Sequence, residues 1–190
     1  MNKILAFSGS SRKGSFNAKL VEIAATSAKQ TGADVTTIDL IDYDMPIFNE
    51  DLEAKEGIPT KAKQFKQLLI EHDGFLIASP EYNSAFSPLL KNAIDWASRK
   101  ESPDEGRLLA YQGKVAVIMA AAAGGLGGTR GLVFLRMLLG NLGVIVLPNQ
   151  EGIPMADQAF NEDGTLVDEV QQTAISNLGI ELAKTLQRLG

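Results

Sequence analysis

The sequence predicts a doubly wound α/β fold, a three-layer sandwich in which a five-stranded parallel sheet of order 2-1-3-4-5 carries helices on both faces. Three observations lead there. Short apolar runs alternate with segments of helical periodicity from one end of the chain to the other. The run at 115–121 is apolar throughout, as expected of a strand covered on both faces. No repeat, linker or low-complexity tract divides the 190 residues, so one domain over 1–190 is expected. The right-handedness of parallel crossovers leaves few other windings.

The elements follow in order. Residues 3–8 are apolar and run into a Gly/Ser cluster, giving the first strand. A helix is expected over 18–29, with Leu20, Ile23 and Ala24 on one face, Asn17 as its cap and Gly32 beyond its end. The second strand is 35–40. Residues 42–59, with two prolines and an acidic run, read as irregular. A helix at 60–71 turns Ala62, Phe65, Leu68 and Leu69 inward, and 74–79 is the third strand. Pro88 suits the first turn of a helix running to about residue 99. The fourth strand is 114–121, a helix follows at 129–142 with Thr129 as its cap, and the fifth strand is 144–147. The last helix, 165–189, places leucines at four-residue spacing, and Gly179 weakens its middle.

Composition narrows the chemistry. With no cysteine, disulfides, catalytic thiols and cysteine-ligated clusters or zinc sites are excluded. A single histidine leaves no His-rich metal site. A net charge of −5 gives no broad basic surface for nucleic acid, and 6% aromatics are too few for a platform that stacks single strands. The longest apolar run, 115–123, is half a membrane span, and no signal-peptide pattern is readable; a soluble, cytoplasmic protein without membrane or nucleic-acid partners is expected.

Open parallel sheets bind ligands beyond the carboxyl ends of their strands, so the loops after strands one, three and four are the places to look. The first, Gly9-Ser10-Ser11-Arg12-Lys13-Gly14-Ser15-Phe16-Asn17, opens a helix. Backbone N–H groups at a helix start, small residues, the hydroxyls of Ser10 and Ser15, the Asn17 amide and the Arg12 fork together suit a phosphate monoester. The loop is not a P-loop, because Ser15-Phe16 stands where Lys-Ser/Thr is required. The second, Pro80-Glu81-Tyr82-Asn83-Ser84-Ala85-Phe86, offers apolar surface and backbone polar groups to a planar ligand. The third carries four glycines between Gly124 and Gly128, which minimise side-chain obstruction to a flat group.

Together these loops resemble those of the NADPH-dependent FMN reductase family of flavodoxin-like proteins, which includes quinone, azo-dye and chromate reductases. The resemblance spans nearly the whole chain. It rests on residues 9–17, on Pro80-Glu-Tyr-Asn83, on Ser87-Pro88-Leu-Leu-Lys-Asn92-Ala-Ile-Asp95-Trp96, and on Met45-Pro-Ile-Phe-Asn-Glu-Asp51. It implies a flavodoxin-like fold and an FMN cofactor. Ser10, Arg12, Ser15, Phe16 and Asn17 would hold its phosphate. Pro80, Glu81, Tyr82, Asn83 and Ser84 would line the ring, and the loop with Gly124 and Gly125 would border its other edge. It implies NADPH or NADH as hydride donor, a ping-pong order, a quinone, flavin, azo, nitro or chromate acceptor, and no side-chain acid or base. A homodimer or homotetramer would form with residues 42–51 at an interface beside the flavin. Where the family often carries Ser-Pro before the double glycine, this chain has Ala122-Ala123. The alternative is a flavodoxin-like electron carrier that does not oxidise NAD(P)H directly. A phospho-receiver is disfavoured, because Ser79-Pro80 and Ser8-Gly9 stand where its acidic residues would.

The remaining polar features have simpler readings. His72 stands at a helix end, a place where the dipole favours a cation. Trp96 packs, Asp95 and Arg99 form an i,i+4 pair, and the acidic residues of 42–53 form a solvated loop without a calcium-site pattern.

Overall fold

The structure, a computed structural model, describes residues 2–190. Its strands are β1 (Lys3–Ser8), β2 (Asp34–Asp39), β3 (Gly74–Ala78), β4 (Val115–Ala121) and β5 (Ile145–Ile153). All pair in parallel in the predicted order, β2-β1-β3-β4-β5. The helices are α1 (Phe16–Gln30), α2 (Glu50–Glu56), α3 (Thr60–Glu71), α4 (Pro88–Ala97), α5 (Thr129–Asn141) and α6 (Glu169–Leu189), with a 3-10 turn at Leu40–Tyr43. Among the described residues no helix is long and apolar enough to cross a membrane.

Alternation within the central strands builds two cores. Ile4, Ala6, Leu76, Val117 and Met119 point to the layer of α1 and α6, while Leu5, Phe7, Phe75, Ile77 and Ile118 point to α3, α4 and α5. Strands without a polar face thus follow from helices on both sides. The contact of α1 with α6 is the tightest: a Cβ on Gly179 would overlap the Ala24 carbonyl oxygen. The glycine that weakens α6 on propensity is the residue that lets it lie against α1.

Several boundaries differ from expectation, each for a local reason. β5 runs on to Ile153 rather than stopping at Leu147. Its pairing with β4 shifts between Ala116↔Val146 and Ile118↔Gln150, so Pro148, which has no N–H to give, falls in a bulge on an edge strand. α6 begins at Glu169 because the Asp168 carboxylate caps it, accepting from the N–H groups of Val170 and Gln171. Thr165 is instead bonded to Asn161 across a tight loop.

Residues 42–59 are more ordered than expected. Asn49 caps α2, whose acidic first turn (Glu50, Asp51, Glu53) opposes the positive end of the helix. Glu53 is bidentate to Arg99 Nε at 2.9 Å. Asp95 is taken by Lys91, so the expected Asp95–Arg99 pair does not form. Asn92 and Trp96 on α4 both donate to the Pro46 carbonyl (3.0 and 2.7 Å), while the Asn92 amide oxygen accepts from Phe48 N–H. The segment is therefore pinned to α4, and Ile47 is left 85% exposed. Trp96 is fully buried. His72 closes α3 with Nδ1 2.7 Å from the Leu68 carbonyl oxygen, and Lys114 Nζ donates to the last carbonyls, Ile70 and His72.

Candidate functional site

Ser8 and Ala78 end β1 and β3 side by side, β4 runs two residues past Met119, the partner of Ala78, to Ala121, and the loops that leave the three strands converge. Side chains tie the three loops pairwise. Ser87 Oγ, capping α4, donates to the Gly9 carbonyl at 2.5 Å and joins the first loop to the second. A Cβ on Gly9 would lie 2.8 Å from Leu90 Cβ, so glycine is what allows this approach. Asn17 joins the first loop to the third: its Nδ2 donates to the Ala121 carbonyl at 3.0 Å, and its Oδ1 accepts from Ala121 N–H at 2.9 Å. Glu81 joins the second loop to the start of α5. Arg130 Nη2 and Nε donate to one carboxylate oxygen (2.6 and 3.0 Å), and Gly131 N–H to the other at 2.9 Å. Burial pushes the Glu81 carboxyl up, but the Gly131 N–H and the Arg130 guanidinium outweigh it and hold it below the ordinary carboxylate range. Arg130 stays largely exposed and is at the same time a structural partner of Glu81.

The cap of α1 is Ser15 rather than Asn17. Ser15 Oγ accepts from the N–H groups of Asn17 and Ala18 (3.2 and 3.4 Å), and the helix starts two residues earlier than predicted. This changes the roles within the first loop. The Asn17 amide is consumed by Ala121 and is not a free donor. The backbone N–H groups of Ser15 and Phe16 have no acceptor among the described residues and stand at the positive end of α1. Ser10 is buried, with its Oγ accepting from Arg12 N–H at 3.3 Å. The Arg12 guanidinium is exposed, held by one contact to the Gly14 carbonyl at 3.4 Å and by the face of Phe16, 4.3 Å from the ring centroid.

In the second loop, Tyr82 and Ala85 exchange both backbone hydrogen bonds across Asn83 and Ser84, whose φ values are +51° and +70°. This two-residue hairpin, left-handed at both central positions, holds the half-exposed Tyr82 ring out from the sheet. In the third loop the glycines divide. Gly127 and Gly128 have φ of +60° and +86°, and Cβ atoms there would lie 2.7 Å from Gly152 and Ala120. The backbone requires glycine at both. Gly124 and Gly125 have ordinary φ, and nothing lies within 4 Å of a Cβ built on either. Neither conformation nor packing within the chain explains them. Gly128 rather than Thr129 occupies the α5 cap position.

Between the loops lies a cavity of about 220 Å³. Its lining holds Ser10, Arg12, Ser15, Phe16 and Asn17 from the first loop, Pro80, Glu81 and Tyr82 from the second, and Ala121, Ala122 and Ala123 from the end of β4. Asn83 and Ser84 form the hairpin tip, and Gly124 and Gly125 continue from Ala123. A larger groove, about 720 Å³, runs along the outer face of α1 and shares Arg12 and Ser15 with the cavity. Its lining mixes acidic and basic side chains, has no aromatic ring, and of the strand ends reaches only Asp39 of β2, not those of β3 and β4. The smaller cavity is the candidate site.

Residues 2–158 match the model of the NADPH-dependent FMN reductase family. The chain belongs to that family. It is 37% identical to an NAD(P)H-dependent FMN reductase of Pseudomonas aeruginosa over 169 residues, covering 88% of this chain and 85% of the relative. It is 34% identical to an NADPH:quinone oxidoreductase of Arabidopsis thaliana over 192 residues, covering 98% and 93%. Among solved structures, the flavoenzyme NAD(P)H:(acceptor) oxidoreductase FerB of Paracoccus denitrificans shares the fold, with a TM-score of 0.79 over 99% of this chain and 98% of that one at 24% identity. The residues of the three loops fit a flavin mononucleotide in kind: N–H groups without an acceptor among the described residues and an exposed arginine suit a phosphate, and a half-exposed tyrosine and two unconstrained glycines suit a flat ring.

Two features of the site lay outside the sequence reading. In the sequence Ser87 stands only within a motif; a serine directly before a helix-starting proline is the signal that marks it as a cap. The Glu81–Arg130 link, spanning 49 residues, has no local signature.

Proposed function

We propose that this protein binds FMN between its three loops and transfers electrons from NAD(P)H to a quinone or a similar small acceptor, with flavin, azo and nitro compounds and chromate in the same class. The observation that carries this is the pairing of Arg12 and the free Ser15 and Phe16 N–H groups at one end of the cavity with Gly124 and Gly125 beyond its other end. The first set suits a phosphate. The second leaves space that the chain itself does not need.

When bound, FMN supplies hydride acceptance and two-electron release, which a chain with no cysteine and a single backbone-bonded histidine does not. The residues bind and orient. Arg12 and the α1 N-terminus neutralise the phosphate. Asn17, Ser87 and Glu81 fix the three loops relative to one another, so that little ordering is left to occur on binding. The Tyr82 hairpin and the Gly124–Gly125 backbone would flank a bound ring, and donor and acceptor are expected to use the site in turn. Initial rates with NADPH and a benzoquinone varied together are expected to give parallel double-reciprocal lines; intersecting lines would mean that both bind at once.

The same proposal includes self-association. Val133, Phe134 and Met137 form a stripe on α5 that is 61%, 45% and 59% exposed, and Ile47 is more exposed still. Large apolar side chains left exposed in this way mark a contact surface, and a second copy, as a dimer or tetramer, is the proposed occupant. Sedimentation equilibrium at micromolar concentration should give at least twice the chain mass. A monomer would remove this part of the proposal.

A further inference from the structure

We propose that Phe160 is a positioning residue for the phosphate end of the flavin site, acting through Phe16 on Arg12. The inference rests on the reading above, that this loop holds the FMN phosphate.

The rings of Phe16 and Phe160 are stacked, with centroids 5.7 Å apart and planes within 5°. Arg12 lies over the Phe16 ring at 4.3 Å, and Lys19 Nζ over the Phe160 ring at 5.2 Å. Cation, ring, ring and cation thus form one continuous run that starts in the phosphate loop, crosses to the segment between β5 and α6 and returns to Lys19 on α1. Arg12 has little else to hold it: its side chain makes a single long hydrogen bond, to Gly14. An arginine on a loop loses rotamer freedom when it grips an anion, and a ring that already supports it reduces that loss.

Phe160 is itself fixed. It pairs with Leu166 in an isolated bridge, Asn161 N–H donates to the Thr165 carbonyl at 2.8 Å, and Val167 N–H donates to the Ala159 carbonyl at 3.0 Å. The loop that carries it is a closed hairpin, and the half-buried ring packs against the α1–α6 core. Phe160 also lies beyond residues 2–158, the stretch that matches the family model.

Apoprotein titrated with FMN and with riboflavin, which lacks the phosphate, separates this role from a structural one. Wild-type protein should prefer FMN. Phe160→Leu should lower the FMN-to-riboflavin affinity ratio about three- to tenfold, the scale of an aromatic pair, with riboflavin affinity unchanged. Phe160→Tyr should restore the ratio, and in an Arg12→Ala background Phe160→Leu should leave it unmoved. A wild-type ratio in Phe160→Leu, or equal losses for both flavins, overturns the proposal and leaves the FMN reading standing. Absence of any FMN preference in the wild type overturns the reading beneath it. If Phe160→Leu does not fold, Phe160→Met, which fills the space without a ring, gives the same test.

Discussion

Replacing Arg12 with alanine is expected to weaken FMN binding about 10- to 100-fold while leaving the fold almost untouched. The magnitude follows from a charge-assisted hydrogen bond, about 1.5–3 kcal/mol, at about 1.4 kcal/mol per tenfold. The selectivity follows from the residue's surroundings. Arg12 is exposed, and among the described residues its side chain pairs with no carboxylate and is held only by the Gly14 carbonyl and the Phe16 ring. Exposed substitutions of this kind change stability by no more than about 0.5 kcal/mol. Flavin-fluorescence titration of the apoprotein, with thermal unfolding of the same sample, measures both quantities. Wild-type FMN affinity in the variant would show that the phosphate sits elsewhere. Riboflavin affinity should be insensitive to the change, which ties the loss to the phosphate.

The second large effect is on stability. Gly179→Ala sets two forces against each other. Helix propensity favours alanine over glycine by about 1 kcal/mol. Packing opposes it, because the new Cβ overlaps the Ala24 carbonyl oxygen and lies 2.8 Å from its carbonyl carbon. Those are backbone atoms of α1, so relief requires moving a helix rather than rotating a side chain. Overpacking a dense interior costs roughly 1–3 kcal/mol and sometimes more. Packing is expected to win, with a net loss of about 2 kcal/mol and a fall in Tm of about 4–8 °C for a chain of this length. Differential scanning calorimetry measures it, and an unchanged or higher Tm would mean that α1 and α6 lie farther apart than described. Since α1 carries Ser15 and Phe16 at its other end, a displaced α1 should also bind FMN less tightly.

These two residues show what could be read in advance. The position of Arg12 follows from local rules: an apolar strand, a Gly/Ser turn, then a helix. The sheet order was legible in the same way, because apolar strands alternating with amphipathic helices permit few windings. Gly179 was visible only as a propensity defect, since its partner Ala24 lies on another helix. The α1 cap was misplaced for a related reason. Serine and asparagine both suit a cap, and what assigns Asn17 elsewhere is Ala121, 104 residues away. In the third loop the sequence shows four equivalent glycines. Only packing separates Gly127 and Gly128, which the backbone requires, from Gly124 and Gly125, which it does not. The extension of β5 past Pro148 was hidden because proline ends most strands, and here an edge position and a bulge tolerate it. Asp95 and Arg99 had the right spacing for a pair, but each found a better-placed partner in Lys91 and Glu53.

The three loops are expected to hold FMN in a form that NAD(P)H can reach. The absorption spectrum of FMN-reconstituted protein, recorded anaerobically before and after stoichiometric NADPH, tests it most directly. The oxidised-flavin band should survive gel filtration with the protein, bleach on addition of NADPH and return when a quinone is added. A protein-bound flavin spectrum that NADPH leaves unchanged would contradict the account and favour an electron carrier.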